Sequence, residues 1–230
     1  MVSLFLYLSK AFDTVNHQIL LNRLKFYGLQ QREYKWFQSY LSNRKQQVYI
    51  NGVASDTCFI FTGVPQGSIL GPLLFIIFIN DLPKSSRFFS TRFYADDTSL
   101  KASGSDLDSL LYEINNHLLA IYEWLCSNTL TLNLTKTKYI IFTPRQKECY
   151  NLYPPLSVAN VYLEKSSCVK YLGVYIDCHL TWHDHIDYIC GKISNNVNIM
   201  VELKHYVSKA TLTSLYYSLI YPYLNYTMGR

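Results

Sequence analysis

The sequence has few charged residues and no long apolar run. Only 16% of its 230 residues are charged while 49% are hydrophobic, so the chain carries too much apolar side chain to stay wholly disordered. Its longest apolar run, residues 73–79, is far too short to cross a bilayer, and no cleavable signal begins the chain. These absences predict an intracellular chain with a buried core and no membrane partner.

The six cysteines form no CxxC pair and no dense framework. In a chain of this length they are most simply buried thiols of a reducing compartment. One segment, CHLTWHDHID, groups Cys178 with three histidines at 179, 183 and 185. Because its spacing fits no familiar zinc pattern, a zinc site is the less favoured interpretation of that segment.

The net charge of +5 is concentrated in the first part of the chain. Residues 1–60 contain seven Lys or Arg and three acidic residues, a balance of +4. A basic leading third suits a polyanion such as nucleic acid. An ordinary solvated basic surface gives the same count, so the charge alone does not choose between the two.

Strand and helix patterns alternate along the chain without regular βαβ spacing. This favours an α+β fold with an antiparallel sheet. The patterns predict a strand over 2–8, a hairpin joined at Asp96 and Asp97, and a hairpin in VKYLGVYID. They predict helices over 15–26, 32–41 and 105–128, a helix with Pro72 in its first turn, and helices again from residue 183.

The segment Tyr94–Asp97, YADD, places two adjacent carboxylates between two apolar strand patterns. Adjacent carboxylates repel each other and lose hydration there unless a cation neutralises them. Mg²⁺ is a hard cation that prefers carboxylate and phosphate oxygens, so it suits such a hairpin tip. An ordinary turn is the alternative, because Asp is a common turn residue.

The segment GVPQGSILGPLLF, residues 63–75, joins a strand to a helix through a loop rich in Gly and Pro. Gly63 and Gly67 allow the backbone to approach a ligand closely, and Pro65 fixes φ. Gln66 offers both a donor and an acceptor. The pattern favours a loop that packs under a base pair or beside phosphates. A purely structural loop is the alternative.

The segment LNLTKTKYIIF contains Lys136 and Lys138 just before or on a strand. A lysine at a strand end either extends along the apolar surface to reach water or donates a proton to a pyrophosphate leaving group. The sequence pattern by itself leaves both interpretations open.

Taken in order and spacing, these segments resemble the reverse transcriptase domain of non-LTR (LINE-like) retrotransposons. LSKAFDTVNH is similar to motif A, GVPQGSILGPLLF to motif B, YADDT to motif C, LNLTKTKYIIF to motif D and VKYLGV to motif E. The resemblance covers essentially the whole chain and implies the right-hand polymerase fold. It implies a palm over residues 1–180 and the start of a helical thumb over 181–230, with the fingers largely missing, so that N-terminal truncation is expected.

The resemblance implies catalytic roles for three residues. Asp96 and Asp97 match the motif C carboxylates that hold Mg²⁺, of which the family uses two ions. Lys136 matches the motif D lysine. An RNA template, a DNA primer and dNTPs are the implied partners, and the nucleus and cytoplasm are the implied locations. The oligomeric state is not implied.

The resemblance also implies binding roles. Phe12 matches the bulky steric gate that clashes with a ribose 2′-OH and so favours dNTPs. Gln66 and Gly67 match the motif B residues that contact the incoming nucleotide and the template. The primer-grip hairpin is matched by Tyr171, Leu172 and Gly173.

Tyr7 departs from the family pattern, which has an aspartate five residues before the gate aromatic, Phe12. Two-metal phosphoryl transfer needs carboxylates from both strands, and a tyrosine is neutral near pH 7 and a poor Mg²⁺ ligand. A loss of roughly 4–6 kcal/mol of transition-state stabilisation slows the reaction about 10³–10⁴-fold. Asp13 lies beyond the strand end and is not expected to replace the ligand. The sequence therefore predicts an inactive member of the family.

Three other interpretations compete with that prediction. The first is a non-catalytic scaffold that binds nucleic acid, and the second is a translated pseudogene without a cellular role. An RNA-dependent RNA polymerase is less favoured, because Phe12 would obstruct a ribonucleotide.

Overall fold

The computed structural model describes residues 1–144 and 155–226, which form two compact units. The N-terminal unit comprises residues 1–141 and 155–165, and the C-terminal unit comprises 142–144 and 166–226. Each unit has its own packing and is described by itself. No helix among the described residues combines the length and apolar character that a membrane span requires.

The N-terminal unit contains thirteen strands and five helices among its described residues. Its strands are β1 Val2–Leu6, β2 Leu8–Ser9, β3 Arg44–Gln46, β4 Tyr49–Ile50, β5 Val53–Ala54, β6 Cys58–Ile60, β7 Ser90–Tyr94, β8 Asp97–Ala102, β9 Thr131–Leu132, β10 Lys138–Ile141, β11 Ser157–Val158, β12 Val161–Tyr162 and β13 Glu164–Lys165. Its helices are α1 His17–Phe26, α2 Gln31–Leu41, α3 Leu70–Ile79, α4 Leu82–Ser85 and α5 Leu107–Ser127.

A five-stranded sheet forms the centre of this unit, in the order β13–β10–β1–β8–β7. β1 lies in the middle and pairs antiparallel with both β8 and β10. Since both of its edges are paired, β1 consists almost wholly of buried apolar residues. The pairing of β10 with β13 is parallel, so the predicted antiparallel sheet is correct for its four principal strands only.

All five helices of this unit contribute buried residues to one hydrophobic core with the sheet. α5 is amphipathic and buries one face, whereas α3 is apolar nearly throughout and contributes five fully or largely buried residues. Asn16 caps α1 and Asp106 caps α5, each through side-chain acceptance of backbone N–H groups. Such caps satisfy donors that have no partner inside the helix. They determine the residues at which the preceding loops end and α1 and α5 begin.

The C-terminal unit consists of one hairpin and three helices among its described residues: β14 Cys168–Tyr171, β15 Val174–Asp177, α6 His183–Leu203, α7 Lys209–Leu219 and α8 Tyr221–Asn225. The buried Asp177 carboxylate accepts hydrogen bonds from the backbone N–H groups of His179, Thr181 and Trp182, at 2.8–3.0 Å. Burial alone would raise the pKa of Asp177, but these three bonds hold it below the usual carboxyl range. They organise the turn that leads into α6.

The helices and hairpins that the sequence predicts are confirmed, with boundary shifts of a few residues and two local corrections. The predicted strand over 2–8 divides after Leu6, and the YADD hairpin turns at Ala95–Asp96, so Asp97 begins the second strand. The two-unit division falls at residue 165, whereas the predicted palm ends at residue 180. The palm and thumb assignments stay predictions, and residues 145–154 and 227–230 of those predicted domains lie outside the described residues.

Candidate functional site

Tyr7 lies where the pairing of β1 with the YADD hairpin ends. The last pair of β1 with β8 is Leu6 with Thr98. Tyr7 follows Leu6 in the chain and Asp97 precedes Thr98, so the two residues are the next ones beyond that pair. In an antiparallel ladder such residues are neighbours. The fold therefore brings position 7 to the start of the second strand, where Asp97 lies, and a tyrosine occupies it.

The segment between β9 and β10 holds the backbone of Tyr7. The N–H of Asn133 donates to the carbonyl of Tyr7 at 2.7 Å, and the N–H of Tyr7 donates to the Thr137 hydroxyl at 3.2 Å. Thr137 is fully buried. These bonds on both sides of Tyr7 fix its backbone where β1 ends. A side chain replaced at position 7 would therefore project from an unchanged backbone.

Asp96 and Asp97 differ in their surroundings. Asp96 lies in the exposed turn, after Ala95, whose φ of 53° is in the left-handed region that short hairpins need. Asp97 is half-buried in β8, and burial raises its pKa, to which the negative charge of Asp96 adds. The second carboxylate is therefore held under unfavourable electrostatics, which a nearby cation would relieve.

Lys136 and Lys138 also differ. Lys138 forms an ion pair with Glu164 on the neighbouring strand, with Nζ and Oε1 2.6 Å apart. Lys136 is exposed, and its backbone N–H donates to Asn133 Oδ1 at 3.1 Å within the segment that binds Tyr7. The lysine chosen from the sequence thus lies one residue from Thr137, beside the end of β1. Its catalytic role stays a prediction.

The ring of Phe12 is held by the helix that follows the GVPQGS loop. Its centroid lies 4.7 Å from that of Phe75 in α3, and its carbonyl accepts from the N–H of Val64 at 2.8 Å. Ring packing at this distance restricts the rotamers that Phe12 can adopt. A steric gate requires such a restricted ring, but the gate function stays a prediction.

The GVPQGS loop packs closely against the Asp13 segment. Gly63 has φ +87°, and a Cβ built there would lie 2.8 Å from the backbone of Asp13. Gly67 has φ +77° and open space around it. The amide of Gln66 donates to the Asp13 carboxylate at 2.9 Å. Asp13 therefore contacts the loop of Gln66, and the expectation that it does not replace a ligand at position 7 stays a prediction.

An open cavity of about 720 Å³ begins at this loop and continues along the β3–β6 hairpin. Asp13 and Gln66 line one part of it, and Arg44 and Phe59 line another. A cavity of this volume accommodates a ligand of nucleotide size. The sequence-predicted residue Gln66 thus lies at a cleft, and the adjoining hairpin extends that cleft.

The primer-grip prediction falls in the C-terminal unit. Tyr171 ends β14, and Leu172 and Gly173 form the two-residue turn, with φ of 48° and 82°. The hydroxyl of Tyr226 donates to the carbonyl of Leu172 at 2.7 Å. The predicted tight hairpin is confirmed, whereas its function in holding a primer stays a prediction.

Sequence reasoning did not find two contacts of this region: the Gln66 amide on Asp13, and the bonds that Asn133 and Thr137 make to Tyr7. Partners that are distant in sequence leave no periodic pattern. The polar composition of LNLTKT before an apolar strand was a weak sign that this segment makes hydrogen bonds.

The sequence of the chain assigns it to a known family. Residues 2–176 match the family model described as reverse transcriptase (RNA-dependent DNA polymerase), and the chain is a member of that family. The match covers the helices, strands and loops described above from β1 to the hairpin of β14 and β15.

Within that family the chain is similar to polymerases of non-LTR retrotransposons, as its motifs predict. It is 28% identical over 236 residues to the RNA-directed DNA polymerase from mobile element jockey of Drosophila funebris, covering 98% of this chain and 25% of that protein. It is 29% identical over 197 residues to the probable RNA-directed DNA polymerase from transposon BS of Drosophila melanogaster, covering 80% and 21%. The chain thus spans about a quarter of the length of these relatives.

The residues at the end of β1 do not fit the two-ion site of the family. Asp96 and Asp97 belong to one hairpin, and the residue that follows the last β1–β8 pair is Tyr7, which carries a phenol and no carboxylate. Among the residues that the structure describes, no group of three or more His, Cys, Asp or Glu is placed to hold a metal ion. β1 and the residue after it, Tyr7, thus supply no carboxylate of the kind that bridges the ions in two-metal catalysis.

Proposed function

We propose that this chain is the RNA-directed DNA polymerase domain of a non-LTR retrotransposon, and that the substitution at position 7 has removed most of its activity. In the family, the reaction adds dNTPs to a primer on an RNA template by phosphoryl transfer. The observation that carries the proposal is the β1–β8 register, which ends at Leu6 and Thr98 and so leaves Tyr7 and Asp97 as the next residues of the two strands. Family membership supports the first part of the proposal, and this register supports the second.

Several side chains retain positions suited to substrate binding. Phe12, packed on Phe75, would limit the space beside a sugar and so select dNTPs. Gln66 lies at the cleft and would contact nucleotide or template once its bond to Asp13 rearranges. Lys136 is free of carboxylate partners among the described residues and would donate a proton to pyrophosphate. These residues bind and orient, but they supply no carboxylate.

Primer extension on an RNA template tests the proposal. The chain would be fused to the sequence that precedes the matched region in the jockey polymerase, as the parent and as Tyr7→Asp and Tyr7→Asn. We expect the Asp variant to exceed the parent by about 10³–10⁴-fold, the effect of roughly 4–6 kcal/mol. The Asn variant has the same shape without the charge and should stay near the parent.

Two results would contradict this proposal. Synthesis by the parent at the rate of the Asp variant would show that position 7 is not limiting. Absence of synthesis by the fused Asp variant, with the primer and template still bound, would show that position 7 is not the ligand position.

A non-catalytic scaffold that binds nucleic acid is the second candidate, favoured by the basic leading third of the chain together with Tyr7. Its affinity for nucleic acid would fall as the salt concentration rises, because Lys and Arg side chains that bind phosphates release counterions from them. Asp96→Ala should leave that binding intact. Mg²⁺-dependent loss of binding in that variant would count against the scaffold.

A further inference from the structure

Two aromatic rings stand exposed beside the cleft, on and just after β6. Phe59 is 55% exposed and Phe61 is 79% exposed. Their positions two apart put both rings on the same side, with centroids 6.2 Å apart and planes inclined by 25°. Exposing two large rings in contact with each other costs hydration free energy unless a partner covers them. Their parallel orientation leaves flat faces for such a partner.

Two cations accompany these rings. Lys45 is opposite Phe59 in the β3–β6 pairing, and its Nζ lies 4.9 Å from the centre of the Phe59 ring. Arg44, the preceding residue, lies 5.9 Å from the ring of Tyr40. Neither cation has a carboxylate partner within ion-pair distance among the described residues. The surface formed by Lys45, Phe59 and Phe61, called here the ring surface, therefore combines flat apolar faces with uncompensated positive charge.

The backbone under the ring surface is firmly held. Thr62, the residue after Phe61, pairs with Asn16 in an isolated bridge, and its hydroxyl donates to the carbonyl of Asp13 at 3.0 Å. The N–H of Gly63 donates to the carbonyl of Val15 at 2.8 Å. Rings on a fixed backbone lose little conformational entropy when they bind. Phe59 also lines the cavity that continues to Gln66, so the ring surface is continuous with the candidate site.

We propose that the ring surface binds single-stranded nucleic acid, with unpaired bases stacked on Phe59 and Phe61 and phosphates paired with Lys45. Stacked aromatic faces interleaved with cations are the means by which proteins bind unpaired strands without sequence preference. A base pair inside a duplex offers no such free face. The inference deepens the proposed function, because it names the unpaired template strand as the ligand of the cleft next to Gln66.

The test measures how tightly the unmodified chain binds a short RNA that contains 2-aminopurine, over a series of salt concentrations. The fluorescence of 2-aminopurine falls when the base stacks on an aromatic ring. Phe61→Ala and Phe59→Ala should each weaken binding about 5- to 100-fold and restore fluorescence, with the salt slope unchanged. Lys45→Gln should instead reduce the slope of log K against log salt by about 0.7, the value for one phosphate of a single strand.

Phe26→Ala is the matched control, since Phe26 is 77% exposed on α1 and does not line this cavity. It should bind like the parent. Equal binding by the parent and both ring variants would overturn the inference. It would also be overturned if Phe61→Ala only dissociated a dimer of the chain in sedimentation experiments, without changing RNA affinity.

This result is independent of the polymerase test. Ring variants that bind normally, together with synthesis by the fused Tyr7→Asp variant, would reject the inference alone. Ring variants that lose binding, together with no synthesis by the fused Tyr7→Asp variant, would reject the role of position 7 in the proposed function and leave the inference standing.

Discussion

Tyr7 is bonded through its backbone to Asn133 and Thr137 and follows the last β1–β8 pair, Leu6 with Thr98. Its side chain is a phenol, whereas the family pattern has a carboxylate at this position. A phenol does not bridge two metal ions as a carboxylate does. Tyr7 lies outside the paired residues of β1, so the sheet forms with a tyrosine there.

The single residue Asp97 should make the stability of the chain depend on pH. Burial and the charge of Asp96 raise the pKa of Asp97 in the folded state, so the native chain holds this proton more firmly than the unfolded chain. The stability that this protonation provides is complete below the unfolded pKa and is lost as pH rises through the folded pKa. Asp97→Asn should therefore raise the urea midpoint near neutral pH, and the gain should vanish in acidic buffer.

Glu123→Gln, at an exposed position of α5, is the control for that comparison and should change the midpoint little at either pH. An Asp97→Asn variant that is less stable than the parent near neutral pH would contradict the account of the YADD hairpin.

At the scale of the elements, the loop before α3 depends more on Gly63 than on Gly67. Gly63 and Gly67 both have left-handed φ, but only a Cβ at Gly63 would meet backbone, that of Asp13 at 2.8 Å. Gly67→Ala should cost only the backbone strain, about 1 kcal/mol. Gly63→Ala should cost about 2–4 kcal/mol, because the clash adds to the strain. Chemical unfolding of the two variants measures the difference.

Equal costs for the two variants would contradict the close packing of the GVPQGS loop on the Asp13 segment. A lower cost at Gly63 would contradict it more strongly, since both positions carry the same kind of backbone strain.

At the scale of the whole molecule, local patterns in the sequence predicted most helices and hairpins. The apolar face of α5 and the Gly173 hairpin are each encoded within one short segment. The turn of YADD was predicted one residue too late, because both Asp residues suit a turn and only strand pairing decides between them. The parallel β10–β13 pair joins segments distant in sequence, for which periodicity gives no signal.

The segments that form the candidate site could be predicted from the sequence, but their side-chain contacts could not. The motif order predicted which segments meet, and the register of β1 with β8 brings position 7 to the YADD hairpin. The contact of Gln66 with Asp13 and the cation over Phe59 were not predictable, because each depends on side-chain positions across two separate elements.

Divalent-ion binding by the whole chain is the measurement most sensitive to a carboxylate at position 7, since it does not require the fused segment of the primer-extension test. Mn²⁺, followed by electron paramagnetic resonance, would be titrated into the parent, Tyr7→Asp, Tyr7→Asn and the double variant Tyr7→Asp with Asp97→Asn. We expect Tyr7→Asp alone to bind Mn²⁺ at least about tenfold more tightly than the parent, because a third carboxylate joins the other two. Equal Mn²⁺ affinity in the parent and Tyr7→Asp would contradict this expectation.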